Sequence, residues 1–184
     1  MPPNENWRPV AGFEGLYEVS DLGNVRSLDR YCLGRDGRSE LHKGRMLAKQ
    51  TTWNGYHEVS LANRSAGVRR KHRPVHALVA EAFLGPRPAK HDIMHLDGNR
   101  TNNRADNLRY GTRAENLHQT YEYGGKACRG KLSKQEAVEV IRRLENGEHP
   151  IDLAKEFGVN NANMYHIKNG TTFAWLREEA LNAT

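Results

Sequence analysis

With 184 residues, 37% of them hydrophobic, the chain suits one mid-sized domain or two to three small modules, not a large buried core. No run of about eighteen apolar residues occurs, which excludes a membrane-spanning helix, and Cys32 and Cys128 stand in no C-x-x-C spacing, which argues against a zinc knuckle or disulfide framework and fits a reducing cytoplasm. A formal net charge of +6, carried by a chain rich in Arg and Asn, favours a polyanionic partner, most often nucleic acid.

The opening "MPPNENWRPV" lacks an apolar h-region, so no secretory leader is expected. The first ninety residues read as short strands and turns. "YEVS" (17–20) and "NVRSL" (24–28) are β-like runs around a tight turn that uses the Gly and Asn of Asp21–Asn24. "NGYHEVSLA" (54–62) opens on Asn-Gly and then alternates apolar with polar, as a strand after a turn does. The run "NRSAGVRRKHR" (63–73) gathers Arg64, Arg69, Arg70, Lys71 and Arg73. It reads equally as a solvated hairpin tip or as a segment that tracks a phosphate backbone.

"VHALVAEAFLG" (75–85) is the first clear helix, apolar on most sides and therefore buried, with Gly85-Pro86 to stop it. His76 at its start reads as a histidine satisfied near a helix end. Next come a strand "HDIMHL" (91–96), a turn "DGN" (97–99), an asparagine-rich loop and a second strand "NLRY" (107–110). Thr112 and Glu115 then form the pattern of a capping box opening a helix at "TRAEN". Asp97 and Asn99 read first as turn formers, and His118, two residues from Asn116 and so on another helix face, as solvent-facing.

"YGGKACRGK" (123–131) is a Gly-rich, basic linker. Ser133 and Glu136 predict another capping box, for a helix running to about Asn146 with Ala137, Val140, Ile141 and Leu144 on its apolar side. "IDLAKEF" (151–157) and "NNANMYHIK" (160–168), separated by Gly158, predict a helix-turn-helix. Leu153, Ala154, Phe157, Val159, Met164 and Ile167 fall where its core needs apolar residues. Asn161, Asn163, Tyr165, His166 and Lys168 remain to meet DNA bases and phosphates.

The stretch "IMHLDGNRTNNRADNLRYGTRAEN" (93–116) holds one histidine, two aspartates and five asparagines. One histidine at a strand end, an amide-pinned loop and an asparagine on the following helix suit phosphodiester hydrolysis. The histidine takes a proton from water, and a metal held near the helix stabilises the charge on phosphorus-bound oxygens and the leaving 3′ oxygen. The amides fix a loop that has no hydrophobic reason to keep its shape.

"MHLDGNRTNNRADNLRYGTRAEN" resembles the ββα-metal motif of HNH endonucleases, in the phage homing-endonuclease branch. "VHALVAEAFLGPRP" is similar to the segment that precedes the motif there, and "ENWRPVAGFEGLYEVSDLGNVRSL" (5–28) resembles the N-terminal modular motif of the same enzymes. A terminal helix-turn-helix is a common module among them. The resemblance implies an α+β chain with an antiparallel β-rich DNA-binding region at 1–73, a nuclease core at 74–123, a linker at 124–132 and a helix-turn-helix at 133–184. It implies a site-specific, metal-dependent DNA endonuclease that uses Mg²⁺ or Mn²⁺, acts as a monomer on double-stranded DNA in the cytoplasm, and nicks one strand or cuts both.

Carried over by position, His95 matches the general base, Asn107 the asparagine that ties the loop to the second strand, and Asn116 the metal-ligating helix residue. Many relatives have a metal ligand just before the base. Here that residue is Met94, a poor ligand for a hard cation, and Asp92, on the same strand face, is the nearest substitute. Arg109 and Arg113 join the basic residues expected on DNA. Met94 also motivates a rival reading, a sequence-specific DNA-binding protein with a degenerate nuclease centre.

Overall fold

The computed structural model describes residues 5–33, 38–63, 66–123 and 131–182; Arg64, Cys128 and residues 124–130 of the linker lie outside them. The chain forms two compact units, Met1–Arg113 and Ala114–Thr184. Among the described residues no helix is long and apolar enough to cross a membrane.

In the first unit, β1 (Trp7–Pro9), β2 (Tyr17–Ser20) and β3 (Val25–Ser27) form an antiparallel sheet in that order. Val19 lies directly opposite Val25, and both are fully buried. The turn between them carries Gly23 at φ +78, a left-handed conformation that glycine adopts without strain. A hairpin of β4 (Arg30–Leu33) and β5 (Ser39–His42) follows, then a second three-stranded sheet of β6 (Gln50–Thr51), β7 (His57–Asn63) and β8 (Val68–Pro74). The helix α1 (Val75–Phe83) begins straight after Pro74, and Gly85 leaves it at φ +86. An antiparallel hairpin of β9 (His91–His95) and β10 (Leu108–Thr112) completes the unit.

One core runs through the first unit: Val19 and Val25 of the first sheet, Val59 and Leu61 of the second, Val75, Leu78 and Val79 of α1, and Leu108 of β10. The reason is α1 itself. A helix apolar on most sides must be covered from several directions, and α1 touches β1, β2, β7, β8, β9 and β10.

The second unit is helical, with α2 (Arg113–Glu122) starting at its boundary, followed by α3 (Lys134–Glu145), α4 (Pro150–Glu156), α5 (Asn161–Lys168) and α6 (Arg177–Asn182). Ser133 and Glu136 close a full capping box at α3, and Ala137, Val140, Ile141 and Leu144 are buried as their spacing predicts. Asn160 caps α5 by accepting from Asn163 N at 2.8 Å. Leu153, Ala154, Met164 and Ile167 are buried in the same core, with Phe157 and Val159 packed against it. Arg143 bridges Glu148 and Glu156 at 2.8 and 2.7 Å, tying the end of α3 to α4.

The segment after Gly170 adds what the sequence reading did not foresee: α6, and a single 3-10 turn at Ala174–Leu176. His118 is not solvent-facing, because its ring lies 4.2 Å from the ring of Trp175. Tyr121 meets Phe173 edge-on at 5.3 Å. These rings hold α2 within the second unit.

Candidate active site

β9 and β10 pair with His95 opposite Leu108 and Met94 opposite Arg109. The connection, residues 96–107, is closed by Leu96 N donating to Asn107 O at 2.8 Å. Inside it the amides and one carboxylate bond to each other. Asn107 accepts from Asp97 N at 3.1 Å and donates to Asp97 Oδ1 at 2.9 Å and Asn102 O at 2.8 Å. Asn102 donates to Asp97 Oδ2 at 2.6 Å, and Asn99 N to Asp97 Oδ1 at 2.8 Å. Asp97 and Asn99 do form turns, and Asp97 is also the hub of the loop. The Asn102 amide, first among several donors, holds its carboxyl below the usual range, so it stays charged.

His95 is 6% exposed, and its Nε2 lies 3.3 Å from Oδ1 of Asn103, itself 3% exposed. Asn103 donates its own Nδ2 to Thr101 O at 3.0 Å, which fixes the amide's orientation. The amide oxygen can only accept, so Nε2 carries the proton and Nδ1 the lone pair of the neutral ring. Burial lowers the His95 pKa, with Arg100 adding to the fall and the Asn103 bond and Asp97 opposing it. The site thus holds a histidine that is neutral and oriented, as a base must be.

Two further rings stand against it. The His76 ring lies 5.4 Å from the His95 ring and the Tyr56 ring 5.9 Å away, with 4.9 Å between Tyr56 and His76. His76 is therefore not a histidine satisfied at a helix end. Its Nδ1 is buried without a hydrogen-bond partner, and burial, followed by the neighbouring His95, pushes its pKa down to about 4. Arg100 donates to Asn54 O at 2.8 Å and lies over the Tyr56 ring at 5.2 Å, joining the 52–56 turn to the amide loop.

The N-terminal turn braces the same loop. Ala105 N donates to Asp21 O at 2.7 Å, and a Cβ placed on Gly23 would stand 2.9 Å from the backbone oxygen of Asn103. Gly23→Ala is therefore expected to destabilise the chain by about 1–3 kcal/mol through the positive φ alone, and to slow catalysis by displacing the residue that orients His95. Urea denaturation and a rate assay check this; unchanged stability and rate would show that Gly23 does not brace Asn103.

The expected metal ligands are oxygen donors. Asp92 lies on the strand with its carboxylate 3.6 Å from Nη1 of Arg113, and Asn116 is half-buried on α2. Met94 is 1% exposed. Among the described residues no group of three or more His, Cys, Asp or Glu could hold a metal. A carboxylate and an amide oxygen are each donors of the kind that suits a hard divalent cation, one that keeps most of its ligands as water or phosphate oxygen, as Mg²⁺ does.

The basic run is a strand, so its side chains alternate between the two faces of the sheet. Arg69, Arg70 and Lys71 are exposed, but they do not form one stripe. Arg73 is held by Glu81 through two bonds of 2.8 and 2.7 Å. Arg109 and Arg113 are exposed, as are Asn161, Asn163, Tyr165, His166 and Lys168 of α5.

Residues 73–118 match the HNH endonuclease family, and residues 5–62 match the NUMOD4 motif. The DNA endonuclease I-HmuI of Bacillus phage SP01 is 29% identical over 153 residues, covering 83% of this chain and 74% of that protein. The uncharacterized HNH endonuclease L247 of Acanthamoeba polyphaga mimivirus is 23% identical over 171 residues, 91% of this chain but 39% of the mimivirus protein. In three dimensions the chain is similar to the HNH homing endonuclease I-HmuI, solved in work on its DNA binding and cleavage. The TM-score is 0.52 at 24% identity, with 88% of each chain covered.

Proposed function

We propose that this chain, a DNA endonuclease of the HNH homing type, uses His95 as its general base, in a single centre that cuts one strand of duplex DNA per binding event. The observation that carries this reading is the buried, neutral His95 with its tautomer set by Asn103. Nδ1 takes the proton from a water as it attacks phosphorus. Asn107 and Asp97 keep the loop closed around it.

A divalent cation, when bound, stabilises the charge on the phosphoryl oxygens and on the leaving 3′ oxygen. Asn116 would hold it, with Mg²⁺ or Mn²⁺ as the ion. Asp92 is the second candidate ligand, competed for by Arg113. Supercoiled plasmid incubated with and without each ion tests the whole reading: ion-dependent nicking is expected. Binding without nicking in either ion supports the rival reading, a DNA-binding protein with a decayed centre, which rests on the thioether at Met94.

DNA contacts are assigned to Arg69, Arg70, Lys71, Arg109 and Arg113 in and next to the first unit, and to α4–α5 read as a helix-turn-helix. The protein acts as a monomer, in the cytoplasm of the host cell if its gene is phage-borne. Asn161, Tyr165 and Lys168, at i, i+4 and i+7, share one face of α5. Replacing all three with Ala is expected to weaken DNA binding at least about tenfold and to lower its salt dependence, with the melting temperature unchanged because all three are exposed. Filter binding across a salt series checks this; unaltered affinity would remove α5 from the interface. Deleting the C-terminal segment is a poorer test, since α2 rests on Phe173 and Trp175.

A further inference from the structure

Trp53 is 98% exposed, more than any other large hydrophobic residue among those described. Single apolar residues on a surface need no explanation. Trp53 differs in how firmly it is presented and in what lies behind it. It occupies the tip of a turn in which Gly55 N donates to Thr52 O at 2.9 Å, with Gly55 at φ +83. Thr52 and Tyr56 clasp the base of that turn: Thr52 N donates to Tyr56 O at 2.8 Å, and Tyr56 N to Thr52 Oγ1 at 3.0 Å. Arg100 of the amide loop holds Asn54 O from the other side. The Tyr56 ring, at the foot of the turn, stands 5.9 Å from the ring of His95.

A turn anchored to the catalytic loop thus holds a bare indole in solvent, three residues before the Tyr56 ring that stands against His95. At 98% exposure the ring packs against almost nothing among the described residues. An indole buries a large apolar face on contact, and every DNA base offers a matching π-face regardless of sequence. We propose that Trp53 stacks on a DNA base at a step next to the scissile phosphate, opening that step and setting the position of the phosphate relative to His95. Apolar side chains that enter a base step unstack it and bend the duplex, and the bend presents more backbone to the protein. Arg100, whose guanidinium lies over Tyr56, supplies a cation beside the same step. This role rests on the endonuclease reading and makes Trp53 a positioning residue, not a catalytic one.

The test uses the full chain and plasmid DNA. In EDTA, duplex DNA is expected to quench a component of tryptophan emission that Trp53→Phe lacks. With Mg²⁺, Trp53→Ala is expected to lower nicking of supercoiled plasmid about 5- to 150-fold. Trp53→Phe should recover most of the rate, and permanganate-reactive thymines beside the nick should appear with wild type but not with Trp53→Ala. The residue is almost fully exposed, so a melting curve like that of the wild type is expected in each variant. Nicking by Trp53→Ala at the wild-type rate, or identical quenching of wild type and Trp53→Phe, overturns the proposal. If wild type nicks while the Trp53 readouts are silent, this proposal alone falls. If wild type neither binds nor nicks, the endonuclease reading falls with it.

Discussion

His95→Ala is expected to lower plasmid nicking by a factor of about 10² to 10⁴ while leaving DNA affinity nearly intact. The small effect on affinity follows from burial: at 6% exposure His95 offers little surface to DNA. The large effect on rate follows from the loss of the neutral imidazole that Asn103 orients. The pH profile sharpens the assignment. Burial favours the neutral ring, so the basic form persists to lower pH than in a free histidine. Nicking should therefore rise with pH through an acid limb below about 6.5, the unperturbed value, and then level off. An acid limb at or above that value, or wild-type turnover in His95→Ala, would remove His95 from the role of base.

The same burial acts on the fold, and the two effects must be separated. His76 has a folded pKa of about 4, below the roughly 6.5 of an unfolded chain. Between those values the unfolded state binds more protons, so stability falls as pH drops from about 6.5 toward 4. Rates in that window have meaning only where a melting curve shows the chain still folded.

The strands, helices and caps were legible because each has a local cause. "YEVS" alternates, "VHALVAEAF" is apolar on most sides, and Ser133 and Glu136 stand three apart, so their elements formed where the pattern places them. The positions of His95, at a strand end, and of Asn107, just before the returning strand, could be read from the same kind of local order. The identity of the residue that orients His95 could not. The 93–116 stretch holds five asparagines, and only the β9–β10 register decides that Asn103 faces the ring while Asn102 and Asn107 face Asp97. His76 and Gly23 were hidden for a related reason. Each lies far from position 95 in the chain, and only the shared core brings it near. The arrangement of the basic run was not legible either: it forms a strand, which divides its charges between two faces, and Glu81, on the following helix, pairs with Arg73.

Met94→Asp is expected to destabilise the ion-free protein by about 2 to 5 kcal/mol, since it removes a buried apolar side chain and leaves a carboxylate in its place. From sequence, the substitution looks like a simple repair, adding a hard oxygen ligand beside the base. At 1% exposure position 94 has no room for a hydrated charge. Arg109, directly across the ladder, is the cation closest in register and offsets part of the cost. Met94→Leu preserves volume and polarity and should cost less than about 1.5 kcal/mol, which separates packing from charge. The penalty carries a sign that can be checked. A buried carboxyl titrates above its unfolded value of about 3.9, so the folded variant binds more protons above that pH and loses stability as pH rises through its raised pKa. Mg²⁺ or Mn²⁺ then discriminates. If position 94 adjoins the bound ion, the new carboxylate gains a partner, and an ion at a hundredfold excess over its dissociation constant returns about 2.7 kcal/mol. Urea denaturation with and without the ion reads this directly. Recovery in Met94→Asp but not in Met94→Leu, together with nicking at lower ion concentration than wild type needs, places position 94 at the metal and identifies the native centre as ligand-poor but active. Nicking by the variant alone, with an inert wild type, identifies the native chain as a decayed nuclease. No ion-dependent recovery at all means that position 94 does not face the ion, and the burden of holding it returns to Asn116.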